Sequence, residues 1–189
     1  IHKLADIYHS ELIVVGKPEA PAIDDGSSNS QKKDSYYRSQ NNYNNFKNGS
    51  SCGGPCANRK EIVLAGANNG ILHAFDTSNG EELWGYIPPN VLGNLEKIPS
   101  SKANSTNAIY GIDGSPVVKD IYFDDTPNDS TNNPRWRTVL LGGLGAGGKG
   151  LYAIDITDIN NPTHLFAISN DESNKAIQHW GVDGIKQEF

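Results

Sequence analysis

Two copies of one pattern run through this chain: a short apolar strand, a glycine turn, and a second strand ending Ala-apolar-Asp. The copies are IVLAGANNGILHAFD at residues 62–76 and TVLLGGLGAGGKGLYAID at 138–155. An element that repeats at this scale is a structural unit stacked on copies of itself, so it restricts the fold more than any isolated motif does. Alternating apolar residues and turn signals extend each copy to four strands. The first set spans about 9–15, 61–66, 71–76 and 81–87; the second spans about 116–123, 137–143, 151–155 and 164–169. Asn69-Gly70 and Asn79-Gly80 supply the turns of the first set, as pairs that accept the left-handed backbone of tight antiparallel connections.

The expected class is all-β, with four short antiparallel strands per unit arranged as blades of a β-propeller. Most strands are apolar on both faces, as they must be when each blade is sandwiched between neighbours. Two blades cannot close a ring, and propellers have about four or more, so the chain is expected to be a fragment of one propeller domain across 1–189. Its first blade covers about 9–87 with an insertion at 16–60, and its second covers about 114–169 with an insertion at 124–136. Residues 170–189 then form a connection to a blade outside the chain. The absence of methionine and the start at Ile1 fit a piece of something longer. In an up-and-down blade both insertions emerge on one face, and the connection 88–112 lies on the other. The first insertion, YYRSQNNYNNFKNGSSCGGPC in part, is suited either to covering a surface or contacting a partner, or to remaining a partly disordered loop.

Composition excludes several function classes. Net charge is -6 and no Lys/Arg cluster exceeds a pair such as Lys32 and Lys33, so nucleic acid is not expected as a partner. The longest aliphatic runs fall far short of the roughly 20 residues of a membrane helix, so no membrane-spanning segment is expected, and no signal peptide is visible. Cys52 and Cys56 lie four apart in CGGPC and are expected to form a local disulfide in an oxidising compartment. Closing so short a loop constrains little chain entropy, so its expected role is to rigidify one loop tip.

Local motifs add no chemistry to the repeat. GLGAGGK at 143–149 satisfies GxGxxG and most of GxxxxGK[ST], yet a phosphate loop must feed a helix, and the chain continues with the strand-like GLYAID. Gly150 also stands where the magnesium-binding hydroxyl belongs. Asp76 and Asp155 end equivalent strands, where a carboxylate accepts N–H groups of the following turn. His2, His9, His73, His164 and His179 show no metal-ligand spacing, and Ser10 and Ser115 lack a paired His-Asp arrangement. No catalytic or cofactor-binding residue is therefore assigned. Asp124, Asp125 and Asp129 are the candidate oxygen ligands for a cation, but Pro127 interrupts a loop without the DxDxDG pattern.

In the first unit Gly70, Ala74, Asp76, Gly80 and Trp84 mark a structural repeat, and Ala74, Gly80 and Trp84, within AFDTSNGEELW, resemble the PQQ-like docking repeat of quinoprotein dehydrogenases. Its physical use is packing of a wide indole over small residues of a neighbouring blade. Ala153 and Asp155 persist in the second unit, with Phe166 near the Trp position. The sequences ADIYHSELIVVG, GANNGILHAFD, DGSPVV and WRTVLLGGLGAGGKGLYAIDITD, in this order, closely resemble the C-terminal propeller of PilC/PilY-type proteins of the type IV pilus. That resemblance implies a non-enzymatic segment of a large secreted or surface-exposed protein, reached by export through the periplasm and located at the pilus, cell surface or outer membrane. It also implies partners among pilus tip or minor pilin proteins and host or abiotic surfaces, with roles in pilus assembly and adhesion. Some members of that family carry a calcium loop later in the propeller, and no such string occurs here, so no cofactor is expected in this segment. The alternative is a PQQ-dependent quinoprotein oxidoreductase, which requires further AxDxxTGxxxW copies and ligands for quinone and calcium.

Overall fold

Among the described residues, short runs of β-branched and aromatic residues between Asn, Gly and Pro turns produce ten strands and no helix longer than seven residues. The computed structural model describes residues 4–95, 110–124, 134–171, 176–180 and 186–188. The first sheet is an antiparallel meander of β1 (Ile13–Val15), β2 (Ile62–Gly66), β3 (Leu72–Asp76) and β4 (Glu82–Tyr86), in that spatial order. The second contains β5 (Val117–Phe123), β6 (Arg135–Gly143), β7 (Gly150–Asp155) and β8 (Thr163–Asp171), again each beside the next. The all-β reading and the two antiparallel blades are therefore present.

Three details differ from the sequence reading. β1 begins at Ile13, because side chains take the bonds that a longer ladder would use: Ser10 Oγ accepts the Gly66 N–H at 3.1 Å and Ser115 Oγ accepts the Glu11 N–H at 3.0 Å. In the two Asn-Gly turns only the glycines are left-handed, with φ 80° at Gly70 and 74° at Gly80. The asparagines act through their side chains, Asn69 Oδ1 accepting from Ile71 N at 3.1 Å and Asn79 Oδ1 from Glu81 N at 3.0 Å. Finally, where residues 170–189 were expected to leave the blade, β9 (Ala176–Trp180) pairs with β8 and β10 (Lys186–Glu188) pairs with β9, giving a six-stranded sheet. The outer edge of a lengthened β8 offers unpaired backbone groups, and the following chain takes them.

The two units are equivalent residue by residue. Ala74 lies opposite Trp84 across β3 and β4, and Ala153 lies opposite Phe166 across β7 and β8. Each pair is followed by a register shift at the same point, between Ala74 and Phe75 and between Ala153 and Ile154. A bulge re-aims the end of the outer strand, so the repeat extends to backbone irregularities as well as side chains.

One face of the first blade packs on the second. Val15, Ile62, Leu64, Leu72 and Ala74 share a buried cluster with Leu140, Tyr152, Ile154, Ile156 and Ile159. The side chains of β5 and β6 alternate, so the face turned away carries Val117, Ile121 and Leu141, which stay 58%, 44% and 43% exposed. Since Ala74 and Ala153 occupy equivalent places, the face of the second blade that corresponds to the packed face of the first is the one that carries these exposed residues, beside the buried Val139 and Ala153.

Between the blades the backbones touch. The segment at 111–113 runs between the β2–β3 turn and the β6–β7 turn, and successive amides bond alternately to each: Ile112 N to Ala67 O at 3.0 Å and Asp113 N to Leu144 O at 3.1 Å. A Cβ on Gly111 would stand 2.3 Å from Gly70 N, and one on Gly147 would stand 1.8 Å from the Gly111 carbonyl oxygen. No side chain fits in either place, and backbone cannot yield as a flexible side chain does. The stretch 143–149 is thus a wide turn with a 3-10 segment at Gly145–Gly147, followed by strand β7 and no helix.

Gly147→Ala is expected to lower stability by about 3 kcal/mol or more, because it forces the two turns apart. Gly93→Ala, with nothing near the added methyl, should be neutral or slightly stabilising. Urea denaturation midpoints of the two variants check the contrast.

Candidate functional site

The insertion between β1 and β2 is ordered and lies over the second blade. It contains α1 (Asp34–Gln40) and α2 (Tyr43–Lys47), helices that the polar, Asn-rich composition concealed. Tyr43 and Phe46, one helical turn apart, are fully buried with Cys56 and Trp136 in a second, smaller core. Tyr43 and Phe46 therefore point inward, while Tyr37 stays 52% exposed, and the insertion has a hydrophobic anchor of its own. Trp136 belongs to β6, which starts at Arg135, two residues inside the stretch assigned to the second insertion. Its indole N–H donates to the Asn41 carbonyl at 2.7 Å, and its ring lies edge-on to Tyr43 at 4.8 Å. The first insertion therefore lies on the side of the blade where β6 begins; residues 125–133 of the second insertion lie outside the described residues.

A buried polar relay joins the insertion to the blade. Arg59, 8% exposed, donates from Nε to the Gly16 carbonyl at 2.8 Å and from Nη1 to Thr138 Oγ1 at 2.7 Å; Nη2 also reaches Gly16 O. Thr138 Oγ1 donates to Asp120 Oδ1 at 2.6 Å, and the Tyr43 hydroxyl donates to Asp120 Oδ2. Burial, and then the Asp120 carboxylate, hold the Tyr43 phenol well above its ordinary range. Burial pushes the Arg59 guanidinium down, opposed by Asp120. No short sequence motif announces this set, because the Arg59–Thr138 bond alone spans 79 residues.

Cys52 and Cys56 form a disulfide. Cys56 is fully buried against the aromatic cluster, so the bridge fixes the return of the insertion toward β2 and is more than a brace at a loop tip.

Of the repeat residues, Gly70, Ala74 and Trp84 lie at the seam between blades. Trp84 donates its indole N–H to the Ile159 carbonyl of the second blade at 2.7 Å, and the Tyr86 hydroxyl lies 2.7 Å from His164 Nδ1. Asp76 Oδ1 accepts the Ser78 N–H at 2.9 Å, and Asp155 Oδ1 accepts the Thr157 N–H at 2.8 Å, each two residues on. Each also has a cation, Lys60 Nζ at 2.7 Å from Asp76 and Arg137 Nε at 3.1 Å from Asp155. Lys60, with the Ser78 hydrogen bonds, depresses the Asp76 carboxyl to about 2. These carboxylates are turn anchors in separate blades, and the structure does not bring them together.

Of the candidate cation ligands, Asp124 follows β5, while Asp125 and Asp129 lie outside the described residues. Among the described residues, no three His, Cys, Asp or Glu side chains gather in a way that would hold a metal, and no helix is long and apolar enough to cross a membrane. Ser10 and Ser115 accept backbone N–H groups. One pairing escaped the sequence reading: His9 Nδ1 lies 2.6 Å from Asp113 Oδ2 across 104 residues. The parallel between the HSELIVV and DGSPVV openings was the available signal, since it sets the two residues at corresponding starts of adjacent blades.

Meandering blades stacked face to face through glycine contacts and a tryptophan seam define part of a β-propeller. The chain belongs to the PilY1 beta-propeller domain family, whose model matches residues 30–186. It is 40% identical over 114 residues to the type IV pilus biogenesis factor PilY1 of Pseudomonas aeruginosa, covering 60% of this chain and 9% of that protein. A PilY1 homolog of Xylella fastidiosa is 40% identical over 105 residues, covering 56% of this chain and 8% of the homolog. The chain therefore spans under a tenth of the length of these relatives. The crystal structure of the Pseudomonas aeruginosa PilY1 C-terminal domain matches 93% of this chain and 36% of its own, with a TM-score of 0.52 at 24% identity, a likeness of fold.

Arg59→Leu leaves the Gly16 carbonyl without its donor and Thr138 without the guanidinium, and should cost about 3 kcal/mol. Faster proteolytic cleavage within 16–60, with slower change in the blades, is the accompanying readout. For Asp76 the sign follows from its lowered value: the stabilisation is complete above about pH 4 and is lost as pH falls toward 2. The stability gap between the protein and Asp76→Asn should therefore narrow across that window in acid-denaturation titrations.

Proposed function

We propose that this chain is a two-blade segment of a larger propeller in a type IV pilus biogenesis factor, and that it acts through its surfaces, without catalysis. The observation that carries this reading is the pair of blade faces. One is closed by the neighbouring blade, while the equivalent face of the second blade presents Val117, Ile121 and Leu141 to solvent. Exposed apolar residues in register on a sheet call for a covering layer. Further blades of the same domain are the fitting cover, because the chain matches only 36% of the solved PilY1 C-terminal domain. On this reading the domain extends beyond 1–189, with blades near 9–87 and 114–169 inside it.

The relatives' names, as pilus biogenesis factors, support a role in pilus assembly. Partners are then pilus tip or minor pilin proteins and the host or abiotic surface the pilus meets, and the location is extracytoplasmic, at the pilus or cell surface. The disulfide suits an oxidising compartment. This segment needs no cofactor of its own, and any calcium serves other parts of the full-length protein. The bonding of Ser10, Ser115, Asp76 and Asp155 to backbone N–H groups favours structural over catalytic roles.

Replacing the chromosomal copy with a Gly147→Ala variant should reduce surface piliation, twitching and adhesion together, as deletion should, with wild-type complementation restoring all three. Normal piliation in the deletion strain contradicts the reading. So does dye-linked alcohol oxidation by the full-length protein reconstituted with pyrroloquinoline quinone and calcium.

A further inference from the structure

The seam between the blades has an open counterpart on the far side of the first blade. Within the seam, Tyr86 at the end of β4 packs on Tyr152 with ring centroids 5.6 Å apart, and its hydroxyl lies 2.7 Å from His164 Nδ1. Ala74 and Trp84 correspond to Ala153 and Phe166, with the same register shift beside each pair. The ladders therefore set Ile71, His73, Glu82 and Gly85 of the first blade at the places of Gly150, Tyr152, His164 and Ala167 in the second. Strand residues alternate, and Leu72, Ala74 and Tyr86 face the second blade, so these four lie on the opposite face. With Ile87, which is 39% exposed, they border a cleft of about 390 Å³. His73 is buried beneath it and brings Nδ1 to 2.7 Å from Glu82 Oε1. The Glu82 side chain stays 28% exposed, and its Oε2 accepts no hydrogen bond among the described residues.

We propose that this cleft receives a tyrosine from the outer strand of another blade of the same polypeptide, as the second blade receives Tyr86; this rests on the reading of the chain as part of a larger propeller. Three differences between the two sites define the occupant. Glu82 stands at the place of His164, and a blade that strips water from Oε2 must return a donor, which a phenol hydroxyl supplies. Gly85 stands at the place of Ala167 and leaves room for a ring against the apolar rim of Ile71 and Ile87. Ile71 stands at the place of Gly150, where a Cβ would lie 2.7 Å from Asn90 Nδ2, so the segment after the incoming strand cannot repeat the Asn90 contact. A second copy of this pair stacked head to tail is a poorer cover. Its residue at the place of Tyr86 is Ile168, which has no hydroxyl for Glu82.

The test is photo-crosslinking of the full-length protein with p-benzoylphenylalanine in place of Ile87, and in a parallel sample in place of Leu141, with adducts mapped by peptide mass spectrometry. The probe at 87 should react at monomer mass with a peptide outside residues 1–189 that contains a tyrosine. Replacing that tyrosine by phenylalanine should lower the urea midpoint of the full-length protein, and lower it less when Glu82→Ala is already present. Adducts confined to residues 1–189, adducts on a second copy or another polypeptide, a peptide without tyrosine, no adduct, or equal midpoint shifts in both backgrounds overturn the proposal. If the probe at 141 joins the rest of the polypeptide and the probe at 87 does not, the cleft proposal fails alone. If neither does, the larger-propeller reading fails with it.

Discussion

The contact on which the rest of the structure depends is backbone against backbone, where Gly111 lies between Gly70 of one blade turn and Gly147 of the other. Its consequence is distance. With no Cβ at these points the segment at 111–113 can hydrogen-bond to both turns at once, and Ile112, fully buried, fills the space under β2. A side chain at either glycine would separate the turns, and the apolar faces of the two sheets would meet at a wider gap. Packing attraction falls steeply with separation, so a small gap forfeits much of the contact between Leu64, Leu72, Leu140 and Ile154.

From that seam outward, each layer of contact depends on the one before. The apolar cluster closes the blades near the glycines, and polar bonds fix them further along: Trp84 to Ile159, Tyr86 to His164, and Asn90 Nδ2 to Leu151 O at 3.3 Å. On the opposite side the insertion straps the pair, with the Trp136, Tyr43 and Phe46 cluster and the Arg59 relay. Burying Arg59 costs desolvation, which its bonds to Gly16 and Thr138 offset only if all are formed. Such a strap sets geometry more than it adds stability, which suits a propeller whose blades must keep a constant angle to close.

Much of this was legible in the chain. The strands followed from alternation and turn residues, because the repeat offers two independent readings of one pattern. Asp76 and Asp155 were placed as turn anchors because a carboxylate at a strand end has few other local partners. Trp84 and Phe166 proved equivalent to the residue. What the sequence withheld was long-range. The helices at 34–40 and 43–47 have weak local propensity, being rich in Asn, Ser and Tyr; the second is fixed by burial of Tyr43 and Phe46 against Trp136, while the first buries no residue and meets the blade through Tyr37, edge-on to Tyr122 and Trp136. The Arg59, Thr138 and Asp120 relay joins residues whose spacing in the chain carries no pattern.

The central claim is that the glycine seam makes the two blades one cooperative unit. Native-state hydrogen exchange with increasing denaturant measures this directly, through the opening free energies of amides in β2 and β3 compared with those in β6 and β7. The account predicts that the slowest amides of both sheets share a single opening energy and the same denaturant dependence. Two separate sets, with the first sheet opening while the second stays protected, would contradict it.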